Sequence, residues 1–245
     1  MKIFDELKVV NSYPALYIDE IDAVVVSDLH LGLESLMSES GTLVPKFQLS
    51  EVEDELGDIL RSEEPERLII CGDIKHQFSE TSFGEREEIE RFIDFVTGSV
   101  EEILLVKGNH DNFLIHVTKD YDSVDLDEVF EIGRFSFVHG HEYRDVDTQY
   151  LVIGHEHPAI GLKDDIDVEE KIPCFLYGEN ERDQRIVVLP AFTKLSEGSP
   201  LNRSRDSILS PFLKKEIDVG DMKAIGVDRE AGLFEFPEIR KLEGF

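Results

Sequence analysis

Leu68-Ile69-Ile70-Cys71-Gly72-Asp73 is the stretch on which the reading of this sequence turns. The apolar run reads as a buried strand, and a carboxylate set directly after such a strand is costly unless something pairs with it. A shared metal ion is such a partner. The same design recurs along the chain. Ala23–Val26 leads to Ser27-Asp28-Leu29-His30, and Ile103–Val106 leads to Gly108-Asn109-His110-Asp111. Phe135–Val138 leads to His139-Gly140-His141, and Leu151–Ile153 to Gly154-His155-Glu156-His157. These five apolar segments, each followed by Asp, Asn or His, can deliver their side chains to one place.

The intervening sequence says how. Ser50 reads as an N-cap with Glu53 completing a capping box, which predicts a helix to about Arg61 with Val52, Leu56, Ile59 and Leu60 on one face. A second helix fits Glu85–Val96, with Ile89, Phe92, Ile93 and Val96 as its buried stripe. Strand, helix, strand, helix, strand is the pattern of a parallel sheet with crossover helices, whose ligands bind beyond the carboxyl ends of the strands. After residue 130 short strands dominate: Arg134–Val138, Leu151–Ile153, Pro173–Tyr177, Arg185–Leu189, then Lys223–Val227 and Leu233–Phe236. They predict a mixed or antiparallel second sheet packed on the first. Residues 1–20 read as one or two strands, the acidic stretch Asp120–Glu128 as a solvated face or loop, and Ser196–Ser210 as a loop over one edge. The fold class is therefore α/β, one domain over residues 1–245, with the motifs within 25–160 and C-terminal strands and a loop over 161–245.

Composition excludes several classes. No apolar run approaches the roughly 20 residues of a membrane span, and the N-terminus lacks the apolar core of a signal peptide. Cys71 and Cys174 both sit in apolar runs and read as buried thiols, so a cytoplasmic location is expected. With 54 acidic against 25 basic residues the formal charge is −29, spread along the chain. That balance predicts a surface suited to a salt-rich cytosol, and one that repels nucleic acid unless charge is locally arranged.

The chemistry lies in the histidines. Of the eight, His30, His76, His110, His139, His141, His155 and His157 sit in or beside the clusters; only His116 does not. Imidazole with carboxylate suits Mn, Fe, Zn or Ni, and the absence of thiolate from every cluster argues against a closed structural zinc site. The mixture suggests two divalent metals sharing Asp73. Two such ions clamp the attacking and leaving oxygens of an in-line displacement at phosphorus, and a hydroxide bridging them is the natural nucleophile. His110 is placed to give a hydrogen bond or proton to the phosphate or leaving oxygen, with Asp111 to orient its ring.

The order D-x-H, G-D, G-N-H-D, H-G-H, G-H-E-H resembles that of the calcineurin-like metallophosphoesterases. The resemblance implies a two-sheet sandwich flanked by helices, a four-layer αββα arrangement. It implies a first metal on Asp28, His30 and His157, a second on Asn109, His139 and His155, a bridge through Asp73, and a catalytic His110. Ser27–Glu34, Gly72-Asp73-Ile74-Lys75-His76 and Leu189-Pro190-Ala191-Phe192 are similar more narrowly to the archaeal SbcD-related and bacterial PdeM-type phosphoesterases. In the SbcD type a histidine three residues past the bridging aspartate lies near the site, and His76 matches it. Downstream, nothing resembles the DNA-binding cap of true SbcD nucleases, so processive duplex resection is not expected.

The expected function is hydrolysis of phosphodiesters, with DNA or RNA among the substrates and manganese the first choice of metal. The alternatives are a hydrolase of phosphomonoesters or nucleotides and a metal-binding scaffold without turnover. The expected partners are a phosphate-ester substrate and a second copy in a homodimer, with no membrane. His141 reads as a neighbour of the ligands, and Glu156 as pointing away. Lys75, Arg144, Lys194, Arg203 and Arg205 are candidate phosphate contacts whose ordinary reading is surface charge, and His116 reads as structural. The charge predicts that the thermal unfolding midpoint rises from low to molar salt; a midpoint that stays put across that range rejects the salt-adapted reading.

Overall fold

The computed structural model describes residues 1–42, 45–78, 81–163, 169–196, 198–203 and 208–242. One sheet is built from β1 (Lys2–Ile3), β2 (Leu7–Val9), β3 (Leu16–Ile18), β4 (Ala23–Val26), β5 (Arg67–Cys71), β6 (Glu102–Val106) and β7 (Val124–Asp127), neighbours in that order. β1 to β4 pair antiparallel and β4 to β7 parallel. α1 (Leu33–Glu39) and α2 (Gln48–Glu63) join β4 to β5, α3 (Phe83–Thr97) joins β5 to β6, and α4 (Ile115–Thr118) joins β6 to β7.

The second sheet comprises β8 (Val129–Ile132), β9 (Phe135–Val138), β10 (Tyr150–Ile153), β11 (Pro158–Lys163), β12 (Glu169–Glu179), β13 (Arg185–Val188) and β14 (Ser199–Pro200), ordered β14-β11-β12-β13-β10-β9-β8. After α5 (Pro211–Glu216), β15 (Lys223–Asp228) pairs with β12, and β16 (Gly232–Phe236) pairs with β15. β9, β10 and β13 run parallel at the centre, so the ends of β9 and β10 project the same way. Asn180 to Asp183 form the turn from β12 into β13.

Two-residue alternation sorts the strands into layers. Ala23, Val25, Ile69, Cys71, Leu104 and Val106 face the other sheet and meet Phe135, Phe137, Tyr150 and Phe175. Val24, Val26, Leu68, Ile70, Ile103 and Leu105 face the opposite way and meet Leu56, Ile59, Phe92 and Ile93 of α2 and α3. A third core lies under α5 and the turn at Ile239–Leu242. The fold is thus two mixed sheets flanked by helices. Its fourth layer is thin, because α5 has only six residues. Both cysteines are buried thiols. No described helix is long and apolar enough to cross a membrane.

The differences from expectation have local causes. Residues 120–128 contain β7, whose alternating Val124 and Leu126 close the sheet edge while their acidic neighbours face water. The N-terminal segment makes three strands. α2 begins at Gln48, not Ser50, because the buried Glu34 carboxylate accepts the backbone N–H of Phe47 (2.8 Å) and Gln48 (3.0 Å) and so caps the helix from outside. A carboxylate there also meets the positive end of the helix dipole. Glu34→Ala is expected to cost about 1 kcal/mol of stability, read from the urea midpoint. A value near zero removes this cap from the account.

Candidate metal centre

All five clusters meet at strand ends: β4, β5 and β6 from the first sheet, β9 and β10 from the second. The chain must turn sharply there to aim its side chains inward. It does so with Asp28 (φ 56), His30 (φ 48), Asp73 (φ 51), His155 (φ 66) and His157 (φ 46) in the left-handed region. Asp and His enter that region more readily than bulky or β-branched residues, though each costs about 1 kcal/mol or more. Backbone bonds hold the turns. Asp28 N–H donates to Gly72 O (3.0 Å), His30 N–H to Asp73 O (2.9 Å) and Leu31 N–H to Ile74 O (2.8 Å), so β4 and β5 stay zipped past their ends. Gly154 N–H donates to His139 O (3.0 Å), doing the same for β9 and β10.

Two groups of donors result: Asp28, His30 and His157, and Asp73, His139 and His155, each with its ligand atoms within 4.8 Å of one another. In the first, His157 Nε2 lies 3.1 Å from Asp28 Oδ1 and 3.4 Å from His30 Nε2. In the second, His139 Nε2 lies 3.3 Å from Asp73 Oδ2 and 3.1 Å from Asn109 Oδ1. Asp73 Oδ2 also lies 3.9 Å from His30 Nε2, so this carboxylate stands between the groups.

The tautomers test whether a cation fits. His139 Nδ1 faces Cys71 O at 2.9 Å. A carbonyl only accepts, so Nδ1 carries the hydrogen in the neutral ring and Nε2 presents a lone pair. That lone pair faces Asp73 Oδ2 and Asn109 Oδ1, oxygens that a divalent cation, or in its absence a proton on Nε2, reconciles. His157 Nδ1 is held by Ser196 Oγ at 2.7 Å, which likewise turns Nε2 inward. The donor set is all nitrogen and oxygen, with Cys71 and Cys174 in the core. The residues fit divalent cations.

Charge follows the same geometry. Burial raises the Asp28 carboxyl, but the charge and hydrogen bond of His157, with His139 and His30 behind, outweigh it and hold it well below the usual carboxylate range. Burial disfavours charge on His139, yet Asp73 and Asp28 overcome it and push its pKa up to about 9. Burial dominates at His30 and His155, which fall to about 4 and are neutral imidazoles near neutral pH.

The other candidates divide. His110 Nε2 points at Asp73 Oδ2 from 3.8 Å, and its ring lies 4.9 Å from that of His30. His76 joins His30 and His110 in a third close group at the rim. Asp111 does not orient His110. Its buried carboxylate accepts backbone N–H groups from Gly108 (2.8 Å), Ile74 (2.9 Å) and Lys75 (3.2 Å), locking the β5 and β6 loops together. The atom facing His110 Nδ1 is the backbone oxygen of His76. Adjacent residues at a turn diverge, and the carboxylate goes to the unpaired amides beneath it.

His141 sits beside the second group, its ring 5.1 Å from that of His139, and His116 is exposed on α4. Glu156 points away and accepts the N–H of Leu209 and Ser210 (2.9 Å each), which sets Leu209 in the cleft wall. Lys75 is buried against Glu85, Arg144 pairs with Glu128 and Glu142, and Lys194 with Glu51 and Glu55. Arg203 is half-buried and engaged, and Arg205 lies outside the described residues. The cleft over the histidines, about 330 Å³, is lined by no Lys or Arg among the described residues. Sequence reading missed Ser196, Ser27, whose hydroxyl donates to Asp28, and Gln48, whose amide holds Leu29 O (3.0 Å) and His30 O (2.9 Å). Ser27 alone had a signal, its place inside the first motif.

Residues 22–199 match the family of calcineurin-like phosphoesterases. Among solved structures, the chain is similar to the nuclease MPE of Pseudomonas putida, at 20% identity and a TM-score of 0.65 over 94% of each chain. It is more distantly similar to the phosphoesterase Yfce of E. coli, at 15% identity and a TM-score of 0.40 over 85% of this chain and 88% of that one. No curated protein matches the sequence significantly.

Close approach explains one motif glycine. A Cβ on Gly154 would lie 2.7 Å from Cys71 O and 2.9 Å from Asp28 Oδ2, with Ser27 Oγ nearer still. Gly154→Ala is therefore expected to cut bound metal to less than half the parent's content by elemental analysis, with secondary structure retained. Full metal content in the variant contradicts the packing described.

Proposed function

The chain belongs to the calcineurin-like phosphoesterase family, and we propose that it is a dinuclear metal-dependent phosphodiesterase. Asp28, His30 and His157 would hold one cation, Asn109, His139 and His155 the other, and Asp73 both. Bound there, two divalent cations supply Lewis-acid polarisation of the phosphate and activation of a water nucleophile. The observation that carries the reading is the Asp73 carboxylate standing between two sets of inward-facing ligand atoms, 3.3 Å from His139 Nε2 and 3.9 Å from His30 Nε2.

The protein's own groups complete the site. His110 keeps its Nδ1 hydrogen on the His76 carbonyl, which leaves Nε2 facing the reacting centre. In its protonated form that atom hydrogen-bonds the phosphate or hands a proton to the leaving oxygen. Asp111 and Gln48 hold the loops that carry these groups. His76 forms the rim and turns His110 through its backbone.

Substrate charge favours a diester. A phosphomonoester dianion calls for added cationic side chains, usually Arg, and the described cleft lining has none. A diester monoanion needs less. The G-D-x-x-H spacing at Gly72 to His76 supports kinship with the SbcD-related and PdeM-type phosphoesterases, and the activity named for the Pseudomonas protein is carried over on the same footing. Manganese is the first ion to test, since these donors suit Mn, Fe, Zn and Ni alike.

With manganese added, bis-p-nitrophenyl phosphate and a labelled single strand of DNA are expected to turn over faster than p-nitrophenyl phosphate. Turnover of the monoester alone rejects the diester assignment, and no turnover with both metals bound favours a scaffold. His110→Ala is expected to keep its metal and lose about 10²- to 10⁴-fold in rate. A variant as fast as the parent removes His110 from the mechanism.

A further inference from the structure

Glu85 is a carboxylate in an unusual place. It stands at the third position of α3, where the Ser82-x-x-Glu85 spacing would close a capping box. Half of that box forms: Glu85 N–H donates to Ser82 Oγ at 3.3 Å. The carboxylate does not turn back to the cap. Fully buried, it reaches the loop after β5, where Oε1 accepts the N–H of His76 (3.0 Å) and of Gln77 (2.8 Å). Oε2 lies 3.6 Å from Lys75 Nζ, also fully buried, and that ammonium donates to Gln77 O.

A buried ion pair is expensive and rarely the best way to stabilise a core. Here both charges are spent on one stretch of backbone, Lys75 to Gln77. The peptide so fixed carries the carbonyl of His76, and that carbonyl faces His110 Nδ1. Phe78, the residue after Gln77, lays its ring on the imidazole with centroids 3.6 Å apart. His110 is thus seated from its Nδ1 side by His76 and from one face by Phe78, two residues on in a single pinned loop. Gly32 of the first motif belongs to the same device, because a Cβ there would come within 2.8 Å of the Glu85 Cβ.

We propose that Glu85 is a positioning residue for the reaction. By clamping the His76–Gln77 peptides against Lys75, it fixes the ring orientation and tautomer of His110, and with them the aim of Nε2 at the leaving oxygen. This rests on the role given to His110 above and extends it to a residue on another element. No group is transferred at Glu85.

A clamp acting only through His110 has a distinctive kinetic signature. A proton donor matters most when the leaving group is a poor one, and a small misplacement of a reacting group is worth up to about 100-fold. The test uses the manganese-loaded protein and aryl methyl phosphodiesters whose phenol leaving groups span a range of acidity. Parent, Glu85→Gln, His110→Ala and the double variant are compared, with metal content measured for each. Glu85→Gln is expected to lower kcat about 10- to 100-fold, with KM and metal content within about twofold of the parent. The loss grows as the phenol becomes less acidic, and Glu85→Gln adds nothing in the His110→Ala background. A loss uniform across the phenols, additive with His110→Ala, or matched by lost metal overturns the positioning role while leaving His110 in place. If His110→Ala is itself as fast as the parent, the role of His110 falls and this inference with it. Should Glu85→Gln fail to fold, Lys75→Met/Glu85→Gln, which removes both buried charges, is read by the same criteria.

Discussion

Carboxylates, imidazoles and an amide oxygen are packed together at the ends of five strands, and the rest of the molecule serves to hold them there. Asp28 and Asp73 bring two carboxylates, His139 Nε2 lies 3.1 Å from the Asn109 amide oxygen, and His30 meets His157 at 3.4 Å. Unaided, such groups would swing apart into water. They cannot, because the backbone takes left-handed turns at Asp28, His30, Asp73 and His157 and the strand ends stay hydrogen-bonded to neighbouring turns. Function is visible as stored strain: local preferences are overruled where a positive ion is to be held.

The two sheets divide the labour. The first supplies Asp28, His30, Asp73 and Asn109 from parallel neighbours, whose registered ends put these residues side by side. The second supplies His139, His155 and His157 from β9 and β10, again parallel neighbours. What sets the spacing between the halves is the inter-sheet core, in which Val25, Ile69 and Leu104 meet Phe137, Tyr150 and Phe175. Packing there is therefore coupled to the centre: a change in side-chain volume between the sheets moves one half of the donor set against the other.

Four further carboxylates bond backbone N–H groups around the centre. Glu34 caps α2, Asp111 ties the β5 and β6 loops, Glu156 anchors Leu209 and Ser210, and Glu85 pins the loop after β5. In a chain with formal charge −29 this is a use of acid distinct from solvating a surface. Each such carboxylate meets two or more N–H groups, a partner set that permits burial of charge without a metal. Several of them sit one or a few residues from a histidine of the clusters, which is why they resemble catalytic groups in sequence.

The sequence by itself determined the strand ends. An apolar run followed by Asp, Asn or His is legible because burial and chemistry leave different residue types in adjacent positions, and the helical stripes of α2 and α3 are legible for the same reason. It also determined which imidazoles belong together, since seven of the eight lie in or beside those clusters. The partners of each polar atom were decided only by the tertiary structure. Asp111 next to His110 reads as its orienting group, yet it takes amides from two loops, and the orienting oxygen comes from His76. Glu34 displaced Ser50 as the cap of α2, and Ser196 reached His157 across 39 residues. Residue type records that a group must be satisfied, because an unsatisfied one is costly wherever it is buried. Which group satisfies it depends on distance and direction in the folded chain, and one-dimensional spacing carries neither.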